Sequence, residues 1–241
     1  RNLRGFLVLA WYNISNARGY SIVAVTIAVT NQKGGVGKTT STINIAYYLA
    51  KAGKRVLLVD LDPQGNATSG LGVDKSNLDI TTGEVLLGRA DLSAAIKVTD
   101  HKGLSILPTT SHLANVEVEL AGAQNKFTRL KTALETVDGY DIVIIDCPPS
   151  LSLLTVNGLI AAKYVILPVQ AEFYALEGLG QLLETMKLVR KGMNPKIELL
   201  GVLPTMMDSR TTLSNQVHQE IVKHFGDKVF QDPLAVNPNF A

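Results

Sequence analysis

Among the 241 residues there is one cysteine, Cys147, so no disulfide can close within the chain. A zinc site built on paired cysteines is excluded for the same reason, and a reducing compartment is the natural setting. The four histidines (His101, His112, His218 and His224) show no metal-ligand spacing. Aromatic residues are sparse at 6% and charged residues stand at 18%, whereas apolar residues reach 46%. That balance excludes wholesale disorder and supplies a sizeable core.

Long apolar runs are missing too. Phe6 to Tyr12, behind Arg1 and Arg4, imitates the start of a targeting signal. The run is only about half of the roughly 20 residues that a membrane span needs. Residues 1–21 are therefore expected to be an extension outside the fold. The net charge of +2 is misleading as well, because Arg1, Arg4 and Arg18 have no acid beside them. The remainder is close to neutral, and overall charge carries no case for a nucleic-acid partner.

From residue 22 onward, short runs rich in Val, Ile and Leu alternate with segments of helical period. The runs are 22–30, 55–60, 104–108, 141–146, 164–169 and 198–203. They predict strands buried on both faces. Helices are predicted over 38–52, 82–97, 112–137 with a break near Gly122, 151–162, 175–192 and 211–225. Gly53, Gly139 and Gly226 stand where helices should stop. The alternation predicts one α/β domain over residues 22–230, with a mostly parallel sheet covered by helices on both faces.

The first strand runs into Asn31-Gln32-Lys33-Gly34-Gly35-Val36-Gly37-Lys38-Thr39-Thr40, and a helix follows. Glycines there let consecutive N–H groups turn inward as a nest for phosphate oxygens, at a helix N-terminus. Lys33, Gly34, Gly35, Val36, Gly37, Lys38, Thr39 and Thr40 are thus candidate nucleotide-binding residues of a P-loop NTPase-type fold. Lys38 would reach the β- and γ-phosphates of ATP, and the Thr39 hydroxyl would ligate Mg²⁺. The strict GxxxxGK[ST] spacing fails, because Gln32 stands five positions before Gly37. A lysine, Lys33, opens the loop instead.

Such a site needs carboxylates at neighbouring strand ends. Asp146, after four apolar residues, has the Walker B form and is the candidate Mg²⁺ partner. Asp60 and Asp62 close the second strand, and Asp62 is the better placed to orient an attacking water.

Four stretches in this order carry a resemblance: Lys33–Thr40 (KGGVGKTT), Asp60–Gly70 (DLDPQGNATSG), Ile144–Ser150 (IIDCPPS) and Leu167–Gly180 (LPVQAEFYALEGLG). Over about residues 23–230 the chain resembles the ParA/Soj family of chromosome- and plasmid-partition ATPases, of the deviant Walker A class. The resemblance implies an ATP-dependent homodimer that binds double-stranded DNA without sequence preference and answers to a ParB-type partner. It implies that Lys33 reaches the nucleotide of the opposite protomer, so that Lys33, Lys38 and Asp62 carry catalysis. It also implies that Arg210 contacts DNA, within a late basic group formed by Lys187, Arg190, Lys191, Lys196, Lys223 and Lys228. The expected location is cytoplasmic and nucleoid-associated. With one cysteine, the chain does not match the iron–sulfur relatives of this class.

Relatives continue past the position of Phe230 with a further strand, a proline-containing segment beside the adenine and a final helix. With residues 231–241 in their place, part of the base pocket and one helix of the sheet's cover are expected to be missing. A MinD-like membrane ATPase is one alternative, but residues 231–241 hold two prolines and no Lys or Arg, so no basic amphipathic anchor helix is expected. A truncated nucleotide-binding module without turnover is the other alternative.

Overall fold

The computed structural model describes residues 24–172, 175–208, 210–231 and 234–235. The expected extension over residues 1–21 and the last residues of the 231–241 segment lie outside the described residues. The eight strands are β1 (Val25–Val29), β2 (Val56–Asp60), β3 (Lys97–Val98), β4 (Leu104–Leu107), β5 (Ile142–Asp146), β6 (Tyr164–Gln170), β7 (Glu198–Met207) and β8 (Leu234–Ala235). They form one sheet in the order β3-β4-β2-β5-β1-β6-β7-β8. Every neighbouring pair is parallel except β3 with β4.

Because β2, β5 and most of β1 are buried on both faces, helices must cover both sides. On one side α1 (Lys38–Lys51) and α2 (Asn66–Gly70) pack Ile45, Leu49 and Ala67 against Ile27, Val29, Leu58 and Ile144. On the other, α3 (Thr82–Leu87), α4 (Leu92–Ala95), α5 (Leu113–Leu120), α6 (Arg129–Leu134) and α7 (Leu153–Ala161) enclose Leu57, Val59, Val143 and Ile145. Toward β7, α8 (Ala175–Gly192) and α9 (Thr212–Phe225) bury Leu179, Leu182, Val217 and Ile221 around Val165 and Leu167. This is the expected α/β architecture.

Some boundaries differ. The helix expected over 82–97 stops at Gly88, whose left-handed φ of 72° ends α3. The apolar pattern continues past it, but as α4 and then β3. The helix expected over 112–137 is broken near Gly122 as expected, into α5 and α6, but the gap is wide, from Ala121 to Thr128. β7 runs on to Met207, through Pro204, instead of ending at Leu203. Past residue 230, where the domain was expected to end, β8 adds a further parallel strand to β7.

Candidate functional site

The register of the central strands brings the sequence-predicted residues together. Asp60 at the end of β2 stands opposite Asp146 at the end of β5, and Val29 of β1 flanks Asp146 on the other side. The chain leaves β1, turns through residues 30–37 and enters α1. Gly35 and Gly37 adopt φ of 76° and 82°, left-handed values that a residue with a Cβ rarely takes. Open space surrounds the positions where a Cβ of Gly34 or Gly35 would lie. Among the described residues, none accepts a hydrogen bond from the backbone N–H groups of Gly35 to Thr40. These N–H groups, without an acceptor among the described residues at the start of a 14-residue helix, form a candidate anion cradle.

Lys38 is buried, and its ammonium donates to the Lys33 carbonyl at 2.9 Å. Burial lowers its pKa, while the charges of Asp146 and Asp62 oppose that shift. The Thr39 hydroxyl donates to Asp146 Oδ2 at 2.7 Å. Thr42 Oγ1 lies 2.9 Å from both Asp146 Oδ1 and the Lys38 carbonyl, so its single proton serves two acceptors. Burial pushes the Asp146 carboxyl up to about 7, with the Asp60 charge adding to the shift. Burial likewise pushes Asp60 up to about 6, against hydrogen bonds from Thr68.

Asp60 fixes the segment that carries Asp62. Its oxygens accept from the Asp62 N–H at 3.2 Å, the Thr68 N–H at 2.8 Å and the Thr68 hydroxyl at 2.7 Å. Thr68 Oγ1 in turn accepts from the Thr109 N–H at 3.0 Å. The Asp62 carboxylate, almost buried, accepts from the Gln64 N–H at 3.0 Å.

Around the loop, Asn31 accepts from the Lys33 N–H and donates to the Pro168 carbonyl of β6. Thr205 of β7 donates to the Val36 carbonyl at 2.8 Å. The Lys33 ammonium pairs with Glu172, just beyond β6, and both side chains are half exposed. Thr40 is exposed at the loop's edge. Cys147 is buried beside Gly158 of α7, and burial pushes its thiol far up, so it is inert.

Sequence reasoning missed Thr42, Thr68, Glu172 and Thr205. Thr42 had a signal, since it lies one helical turn beyond Lys38 on the same face. Thr205 and Glu172 had none, being joined to the loop only by tertiary structure. Arg210 stands apart from this cluster, in the turn between β7 and α9. Its guanidinium makes a two-pronged contact with Asp208, at 2.8 Å on each side, and remains 88% exposed. Two other cations of the late basic group are also paired on the surface, Lys187 with Glu184 and Lys223 with Glu220.

No group of three or more His, Cys, Asp or Glu able to hold a metal occurs among the described residues. The donor set here is instead one hydroxyl and one strand-end carboxylate, Thr39 and Asp146, already in contact. That set suits Mg²⁺, which keeps several waters and takes its remaining ligands from phosphate.

The parallel sheet, the glycine loop at a helix start and the strand-end acids define a P-loop NTPase-type fold. The AAA domain family model matches residues 24–199. The sporulation initiation inhibitor protein Soj of Bacillus subtilis is 52% identical over 212 residues, covering 88% of this chain and 84% of that protein. The chromosome-partitioning ATPase Soj of Thermus thermophilus is 52% identical over 217 residues, covering 89% and 82%. The chain belongs to the ParA/Soj family of partition ATPases. Among solved structures, cobyrinic acid a,c-diamide synthase from Mycobacterium smegmatis with bound ADP and magnesium superposes with a TM-score of 0.85. It is 46% identical, covering 89% of this chain and 88% of that one.

Proposed function

We propose that this protein hydrolyses ATP with Mg²⁺, dimerises on ATP, binds double-stranded DNA without sequence preference and works in partition with a ParB-type partner. The observation that carries the reading is the Thr39–Asp146 contact beside the buried Lys38, at the mouth of an anion cradle. ADP and magnesium in the mycobacterial neighbour support the same ligands here.

In this reading the loop N–H groups hold the phosphates, and Lys38 supplies a fixed cation to the β- and γ-oxygens. Thr39 and Asp146 would hold Mg²⁺, which when bound neutralises phosphate charge. Asp60 fixes the backbone at Asp62, so that the Asp62 carboxylate orients a water toward the terminal phosphate. Lys33 is paired with Glu172 within its own chain. To reach a nucleotide across a dimer interface it would leave that carboxylate, which links dimerisation to ATP. Two protomers would then present two Arg210 surfaces to one DNA molecule, and weak contacts would gain by avidity.

Among the described residues no helix is long and apolar enough to cross a membrane. The proposed setting is the cytoplasm, on the nucleoid. ATP turnover measured with and without DNA tests the proposal. DNA-stimulated phosphate release supports it, and ATP binding without release would leave a nucleotide-binding module instead.

A further inference from the structure

A cleft of about 540 Å³ opens at the seam between α3 and α6. None of its lining residues belongs to the phosphate loop, to Asp60 or Asp62, or to Asp146. Val85, Leu92 and Ala133 supply an apolar wall, and Asn125, Arg129 and Thr132 supply a polar one. The volume lies within the range of roughly 300 to 1,000 Å³ usual for small-molecule sites.

Arg129 is the unusual member. Its side chain makes no hydrogen bond or ion pair with any described residue, and its Nε is buried without a partner. An arginine keeps its charge at any ordinary pH and carries five donors, so a partly buried guanidinium without an acceptor is costly. The neighbouring Arg89 does not share this condition, because Glu119 pairs with it at 2.5 Å. Asp91, exposed and lining the same cleft, forms no ion pair or hydrogen bond with Arg129. A Cβ at Gly88 would come within 3.3 Å of Arg129 Nη1, and Gly88 has φ of 72°.

We propose that this cleft binds a small organic oxyanion, a carboxylate or a phosphate on an apolar body, with Arg129 as its counter-ion. The planar fork of a guanidinium accepts either group through two parallel hydrogen bonds. The apolar residues take the body of the ligand, and Thr132 and Asn125, which also line the cleft, offer a hydroxyl and an amide. The site is separate from the nucleotide site and does not depend on how that site is read.

The test uses the full chain and three probes: phenyl phosphate, benzoate and the neutral benzyl alcohol. Binding is followed by amide chemical shifts, in the wild type and in Lys38→Ala, where the phosphate loop no longer competes. Saturable shifts at Gly88, Asn125 and Thr132 with either anion, in both proteins, are expected, and the tighter anion identifies which source the site prefers. Arg129→Met should weaken anion binding about tenfold or more, as loss of a charge-assisted contact requires. Arg129→Lys, which keeps charge without the fork and guards against loss of folding, should bind at an intermediate level. Benzyl alcohol should bind at least about tenfold more weakly than the better anion. Shifts confined to residues 34–40, no saturation with either anion, equal binding of benzyl alcohol, or undiminished binding by Arg129→Met would each overturn the proposal.

Discussion

Two regions of this molecule use the same kinds of charged side chain in opposite ways. At the carboxyl ends of β1, β2 and β5, Asp60 and Asp146 are fully buried, held by threonine hydroxyls and backbone N–H groups. Their carboxyls are pushed up to about 6 and about 7, because burial penalises the ion. In the turn after β7, Arg210 and Asp208 face water, and the guanidinium holds the Asp208 carboxyl down at about 2. The first region is fixed and short-ranged, whereas the second is solvated and open to screening. A buried network suits chemistry on one ligand in one pose. An exposed pair suits a partner met in many registers.

Four substitutions test whether the two regions act as differently as their burial implies. Asp62→Ala should keep ATP binding and slow hydrolysis by about 100-fold or more, since the group that orients the water is lost while the cradle remains. Single-turnover kinetics beside nucleotide titration would show it, and unchanged hydrolysis would assign the water to another group. Lys38→Ala should weaken Mg·ATP binding by about 10- to 100-fold, a loss that salt should hardly alter because the contact is buried. Isothermal titration at two ionic strengths is the measurement.

Lys33→Ala separates the two protomers' roles. Its monomer should still bind ATP, because Lys38 and the loop are intact, while ATP-dependent dimers, DNA retention and turnover fall together. Sedimentation with DNA retention at low and moderate salt decides this. Dimers and DNA binding at the wild-type level would make Lys33 a purely local contact. Arg210→Ala should have the smallest effect and the most salt-dependent one. Each phosphate contact removed should lower the slope of log affinity against log salt by about 0.9. Nucleotide binding should be untouched, and a lost nucleotide affinity would join the two regions that the structure keeps apart.

Much of this was legible in the residues. β2 and β5 announce themselves as unbroken Val, Ile and Leu runs up to their terminal aspartates, and β1, β4 and β6 as largely apolar ones, since a strand buried on both faces has few polar positions to blur it. α8 lies where the helical period put it, over Ala175–Gly192. β3 was not legible, because it has only Lys97 and Val98, both exposed. Nor was α2, five residues whose composition reads as a turn. At the site, the glycine loop and the strand-end acids were readable because their chemistry requires those residue types in sequence. The threonines that orient them were not, since a threonine gains its meaning only from what folding brings within 3 Å, as Thr68 shows with Asp60 at 2.7 Å. The cleft at Arg129 left no local pattern, for its walls come from segments more than thirty residues apart.

The Thr205–Val36 hydrogen bond has a consequence for the timing of synthesis. The loop leaves the ribosome early, yet β5 must insert between β1 and β2 before the strand-end acids stand side by side. The loop is also held by Pro168, through Asn31, and by Thr205, which lies 169 positions beyond Val36. Closing contacts of such separation is slow, because chain entropy is spent before they form. A nascent chain halted before β7 therefore carries the whole nucleotide signature and an unfinished cradle. The cradle is thus complete only once β7 has been laid beside β6, long after the loop itself has been made.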